Sequence, residues 1–153
     1  MARYINNQPM KYLLCALCFL IPVLLSAQPD TPEGRWKTID DETGEAKSIV
    51  EIFAKRGKYY GKIAEIISGN AQALCEECGG AKKNKPILGL EIIEDLVASE
   101  DDPYTWDDGT ILDPRKGASY GLTAWFDEGE PDVLYIRGRH WTGLYRTQKW
   151  IRE

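Results

Sequence analysis

Residues 47–54 read KSIVEIFA, residues 55–58 read KRGK, and residues 59–67 read YYGKIAEII. The first run is rich in β-branched and aromatic side chains, which suit a pleated, half-buried surface. The four residues that follow are basic around Gly57, and glycine lets a chain reverse direction at no steric cost. The third run repeats the strand composition. Together the three predict an antiparallel hairpin. Its alternation is impure, because Ile49 and Phe53 fall on the opposite face from Val50 and Ile52. Such a strand is partly covered on its outer side, or a bulge shifts its register.

Upstream of the hairpin, residues 35–39 begin a strand at Trp36, and residues 40–44 (DDETG) are turn chemistry. Downstream, residues 70–85 form a polar, glycine-containing stretch that is long for a simple connection, the signature of a structured or functional loop. Residues 86–97 (PILGLEIIEDLV) have a Leu/Ile spacing open to a helix, but β-branched content and Gly89 favour a strand. Residues 100–108 read as an acidic loop, 110–112 as a short strand, and 113–117 (DPRKG) as a turn. In that turn Pro114 presets φ and Gly117 is free for positive φ. Residues 119–126, 133–139 and 141–151 are three more strands, the first two joined by 127–132 with Gly129 and Pro131. About eight short strands with turns between them, and no helix of useful length, predict an all-β, small antiparallel up-and-down β-barrel. About eight strands close a barrel just wide enough for side chains or one small ligand.

The amino terminus reads differently. Arg3 and Lys11 precede an apolar run over residues 12–25, no acidic residue occurs before Asp30, and Ser26-Ala27-Gln28 follow. A basic start, a short apolar stretch and a small-residue exit predict a signal peptide over residues 1–27, leaving 28–153 as a single domain. The run is shorter than the about 20 apolar residues that cross a bilayer as a helix, and Pro22 interrupts it. The mature form is therefore expected to be periplasmic or secreted, with no transmembrane segment. Cleavage would remove two basic residues and no acidic ones, taking the net charge from −5 to −7. An acidic domain is repelled by phosphate backbones, so nucleic acid is not expected as a partner.

Cleavage also removes Cys15 and Cys18 and leaves Cys75 and Cys78. In Cys75-Glu76-Glu77-Cys78 a structural disulfide that pins the long loop is the expectation. Two other readings are open. A thiol–disulfide exchanger needs a depressed thiol pKa, which two intervening glutamates oppose. A zinc site needs four ligands, and the single histidine, His140, is distant in sequence. No catalytic residue, metal site or cofactor is expected. Residues 91–108 hold eight acidic residues and no Lys or Arg, which reads as a solvated loop. Gly34-Arg35-Trp36 opens the first strand; a Trp there can plug one end of a small barrel beneath a cation from the last strand, either Arg146 or Arg152.

Gly-x-Trp near the start with Arg near the end is similar to the lipocalin and calycin signature. A longer pattern resembles an exported bacterial family catalogued as domain of unknown function 2147. It runs from residues 36–44 (WKTIDDETG) through Cys75-x-x-Cys78, Lys83 and Pro86-Ile87-x-Gly89-Leu90. Trp106, Gly109, Ile111-Leu112-Asp113-Pro114, Gly117 and Tyr120 follow, then Arg137-Gly138 and residues 146–150 (RTQKW). The resemblance covers nearly all of residues 34–150. It implies a secreted or periplasmic, lipocalin-like β-barrel with no established activity. Such a barrel would bind a small apolar or amphipathic molecule, with Trp36, Tyr60, Trp106, Tyr120, Trp125 and Arg146 as candidate contacts. The alternatives are an envelope structural or interaction module whose barrel is filled by its own aromatic side chains, and a thiol–disulfide enzyme using Cys75 and Cys78.

Overall fold

The computed structural model describes residues 30–153; the expected signal peptide lies outside them. Eight strands follow in chain order: β1 (Gly34–Ile39), β2 (Ala46–Lys55), β3 (Lys58–Ile66), β4 (Glu91–Ala98), β5 (Thr105–Asp113), β6 (Ala118–Phe126), β7 (Val133–Arg139) and β8 (Tyr145–Arg152). Each pairs antiparallel with its chain neighbour, and β8 returns to β1 through Trp36↔Arg152, Lys37↔Ile151 and Thr38↔Trp150, closing an up-and-down barrel. Closure gives every strand a neighbour on both sides, although β1 and β8 pair over only three positions. No helix among the described residues is long and apolar enough to cross a membrane.

The opening hairpin forms as its residues predict. Lys55 pairs with Lys58 across Arg56 and Gly57, both at positive φ (55° and 79°). This is the turn type whose twist matches two antiparallel strands. A bulge sits farther along the same pair: Ile49 opposes Glu65 and Val50 opposes Ile63, so Ala64 has no partner. Ile63 and Ile66 consequently both reach the interior. Ile49, on the outer side, is also buried, so both explanations of the impure alternation hold at once.

Three strand starts differ from expectation by four residues or more. β4 begins at Glu91 instead of Pro86, because Pro86 bridges to Leu74 and residues 86–90 close the long connection. β5 begins at Thr105, inside the expected acidic loop, because Thr105 and Trp106 pair with Trp125 and Ala124 of β6. The charges of Asp107 and Asp108 are absorbed at a bulge, where the pairing passes from Trp106↔Ala124 to Gly109↔Leu122. β8 begins at Tyr145 instead of Trp141. Residues 141–144 form the β7–β8 turn, closed by the His140 N–H to Leu144 carbonyl bond (2.7 Å) and by Gly143 at φ 92°.

One end of the barrel is packed solid. Trp36, Trp106 and Phe126 meet there, with ring centroids 5.8 Å apart for Trp36–Phe126 and 5.5 Å for Trp106–Phe126, and Tyr59 meets Trp106 edge-on at 6.4 Å. Tilted and edge-on aromatic pairs of this kind contribute about 1 kcal/mol each beyond their burial. Trp36 donates from Nε1 to the Pro32 carbonyl (2.9 Å), and the Arg152 guanidinium lies 4.2 Å from its ring centroid. Of the two cations expected over Trp36, Arg152 takes the place. Gly34 (φ 139°) lets the chain bend in beneath it, since a Cβ there would stand 3.0 Å from Arg152 Nη1.

Candidate functional site

The inward positions at the other end of the barrel carry mostly aliphatic or hydroxyl side chains, with Gln148 and Trp150 on β8, and the interior there is hollow. A cavity of about 1180 Å³ opens to solvent between the β1–β2, β5–β6 and β7–β8 turns and the long β3–β4 connection. Val50, Ile63, Ile92, Leu112, Ile136 and Trp150 give it apolar walls and a floor. Gly138 keeps the β7 wall open: a Cβ there would meet only Tyr120 and Ile111, at 3.6 Å or more.

Polar lining comes from Thr38 on β1, Ser48 on β2, Tyr120 on β6 and Gln148 on β8, and from polar and charged residues of the surrounding turns and the long connection. Thr38 Oγ1 lies 2.9 Å from Ser48 Oγ and accepts the Ser48 backbone N–H at 3.2 Å. Gln148 Oε1 accepts from Trp150 Nε1 at 3.4 Å. At the mouth, Arg146 Nε donates to Asp41 Oδ2 at 2.8 Å. Asp40 accepts the backbone N–H groups of Thr43 and Glu42, which hold its carboxyl below the usual carboxylate range, and Lys47 stands 3.7 Å away. The ring of Tyr120 lies 6.1 Å from that of His140. A chamber with aliphatic walls, hydroxyl and amide groups among them and charges at its mouth is chemically suited to an apolar or amphipathic molecule.

The β3–β4 connection, residues 67–90, builds one wall. Cys75 and Cys78 are disulfide-bonded and buried. Cys75 exchanges backbone bonds with Lys85 (2.8 Å) and Asn84 (3.0 Å), and Leu74 bridges to Pro86. The Cys75 sulfur sits 3.2 Å from the Pro114 carbonyl oxygen, which sets the loop against the β5–β6 turn. Anchored in this way, the loop presents Ala73 and Ile87 to the cavity.

Of the six residues expected to contact a ligand, Tyr120 and Arg146 line the cavity. Trp36 and Trp106 point inward but belong to the packed end, below the cavity floor. Tyr60 and Trp125 lie on the outside of the barrel. Successive residues of a strand face opposite sides, and the inward places are taken by Tyr59 on β3 and by Ala124 and Phe126 on β6. Tyr60 instead stacks on Phe53 and donates to Asp95 at 2.8 Å. Trp125 stacks on Tyr135, with Arg137 over its ring at 4.7 Å. Sequence reasoning missed Thr38, Ser48, Gln148 and Trp150. The signal was present: two residues on from Trp36 is Thr38, and two and four back from Arg152 are Trp150 and Gln148.

Residues 34–152 match the family described as "Uncharacterized protein conserved in bacteria (DUF2147)", and the chain belongs to that family. Among solved structures it is similar to protein HP1028 from Helicobacter pylori, described as belonging to the lipocalin family. The TM-score is 0.66 at 18% identity, over 79% of this chain and 82% of that one. That likeness is one of fold. No curated protein matches the chain significantly.

Proposed function

We propose that this DUF2147 protein binds a small apolar or amphipathic ligand in the open half of its barrel, outside the cytoplasm. The observation that carries the reading is the chamber of about 1180 Å³ above a solid aromatic floor. A barrel filled throughout by its own side chains has no such space, so the chamber favours a carrier over a purely structural module. The apolar walls hold the hydrocarbon portion, and Thr38, Ser48, Gln148 and Tyr120 offer hydrogen bonds that orient a polar group. The location rests on the basic, apolar and small-residue pattern of residues 1–28. Tyr120 and Arg146 remain candidate ligand contacts.

Native mass spectrometry of freshly purified protein, together with uptake of the fluorescent probe N-phenyl-1-naphthylamine, tests the reading. The expected result is a one-to-one adduct or saturable probe uptake that a long-chain fatty acid displaces. Gly138→Trp, which fills the chamber, should abolish uptake while leaving the β-sheet circular dichroism unchanged. An adduct-free mass with no probe uptake by the unmodified barrel would overturn it.

A further inference from the structure

Depth sorts the polar groups of the chamber. Thr38 pairs in register with Ser48 on one side and with Trp150 on the other, and one inward step along β1 leads to Trp36 of the packed plug. Thr38, Ser48 and the Trp150 indole therefore stand at the floor of the chamber. Gln148 is the next inward residue of β8 after Trp150. The charged lining residues belong to the β1–β2 and β5–β6 turns or to the strand ends beside them. Tyr120 stands at the mouth too, at the start of β6 and beside His140.

The hydrogen-bonding capacity left open at the floor is that of donors. An indole N–H only donates, so Gln148 turns its carbonyl toward Trp150 Nε1 at 3.4 Å and keeps both N–H bonds of its Nε2. Among the described residues nothing accepts them. Asp40, which follows β1, spends its carboxylate on the backbone N–H groups of Glu42 and Thr43 and on Lys47. Thr38 and Ser48 meet at 2.9 Å, and one hydroxyl proton closes that contact. With Thr38 donating, the Ser48 O–H is left for the chamber. A ligand that covers these groups and offers no acceptor strips water from them and leaves them unpaired, which costs more than a made bond gains.

We infer that the ligand carries a carbonyl acceptor, that of an ester or a carboxylic acid, and binds with this end inward on Gln148 Nε2 and the Ser48 hydroxyl. Its hydrocarbon tail then runs between Val50, Ile63 and Ile136 toward the mouth. An ammonium group brings only donors and meets donors there. A bare hydrocarbon leaves them unpaired. The inference rests on the ligand-carrier reading and deepens it, naming the class of ligand and its direction in the same chamber.

Displacement of N-phenyl-1-naphthylamine by methyl decanoate, decanoate, decylammonium and decane tests the class. The ester and the acid should each bind about tenfold more tightly than the ammonium ion and the hydrocarbon. Gln148→Glu keeps an oxygen for Trp150 and replaces the two free donors with an acceptor. It should bind methyl decanoate about tenfold more weakly and decylammonium more tightly, with the β-sheet circular dichroism retained. Direction is read separately, with stearate spin-labelled near its carboxyl or near its methyl end and Trp141→Phe to silence the exposed indole. The label near the carboxyl should quench tryptophan emission more, because Trp36, Trp106 and Trp150 cluster at and below the floor. Equal affinity across the series, a preference for decylammonium, an unchanged order in Gln148→Glu, or stronger quenching by the methyl-end label would each overturn the inference. Binding without preference overturns it alone; binding of no ligand at all overturns the cavity reading with it.

Discussion

Gly117 of the β5–β6 turn lies directly against the backbone of Glu77 in the disulfide loop. A Cβ on Gly117 would fall 1.9 Å from the Glu77 carbonyl oxygen, and its φ is 63°. Two separate constraints therefore demand glycine, one steric and one conformational. Gly117→Ala is expected to cost about 3 kcal/mol, combining left-handed strain with backbone overlap. Urea unfolding should show the lower midpoint. Protease sensitivity should rise within residues 67–90, which lose their seat against the turn.

Arg152 covers the face of Trp36 at 4.2 Å and is itself held by Asp132 (3.3 Å) and the Pro131 carbonyl (3.3 Å). Arg152→Ala should destabilise the barrel by about 1–2 kcal/mol, the range for a partly desolvated cation–π contact. It should also red-shift the tryptophan emission as water reaches the indole. Arg152→Lys should restore part of the stability, since an ammonium keeps the charge but loses the planar stacking.

Asp108 occupies a left-handed position (φ 56°) in the β5 bulge. Aspartate tolerates that region better than most residues, but glycine adopts it without penalty. Asp108→Gly should therefore raise stability by about 0.5–1 kcal/mol, and Asp108→Val should lower it. Differential scanning calorimetry of the three proteins gives the order directly.

Asp95 accepts from Lys58 Nζ (2.9 Å) and from the Tyr60 hydroxyl (2.8 Å) on the outer face of β3 and β4. Those bonds hold its carboxyl below the ordinary value of 3.8, and the same contact raises Lys58 above 10.5. A lowered carboxylate stabilises the fold above its unfolded value, and that contribution is lost as pH falls through the folded one. A raised ammonium stabilises below its unfolded value and is lost as pH rises through the folded one. The stability difference between the unmodified protein and Asp95→Asn should be constant at neutral pH. It should vanish in acid below 3.8 and shrink again in alkali above 10.5. Asn also tolerates the positive φ of Asp95 (58°), so the variant removes charge without adding strain. A difference that does not change with pH would show that the pair contributes nothing through its charge.

Replacing Cys75 and Cys78 together with alanine should cost about 2 kcal/mol, as expected for a crosslink that closes a very short loop. The barrel spectrum should persist, because the eight strands pair without the loop. Hydrogen exchange should rise in residues 67–90 and stay unchanged in β6 and β7.

The barrel was legible because its determinants are neighbours in the chain. β-branched runs, the Arg56-Gly57 reversal and the turns at 40–44, 113–117 and 127–132 act within a few residues. The plug by Trp36 was legible for the same reason, with Gly34 two residues before it. The face of each aromatic residue was not. Tyr59 and Tyr60 are adjacent and alike, and only the pairing of β3 with β2 and β4 decides which enters the core. Bulges near Ile39, Ala64, Asp95 and Asp108 break the alternation on which a linear reading depends. The chamber depends on contacts more distant still. It exists because Trp36, Trp106 and Phe126, some ninety residues apart at the extremes, crowd one end of a closed sheet and leave mostly aliphatic or hydroxyl side chains at the other. Composition records how many aromatics a chain holds; closure of β8 onto β1 decides where they gather and where the space remains.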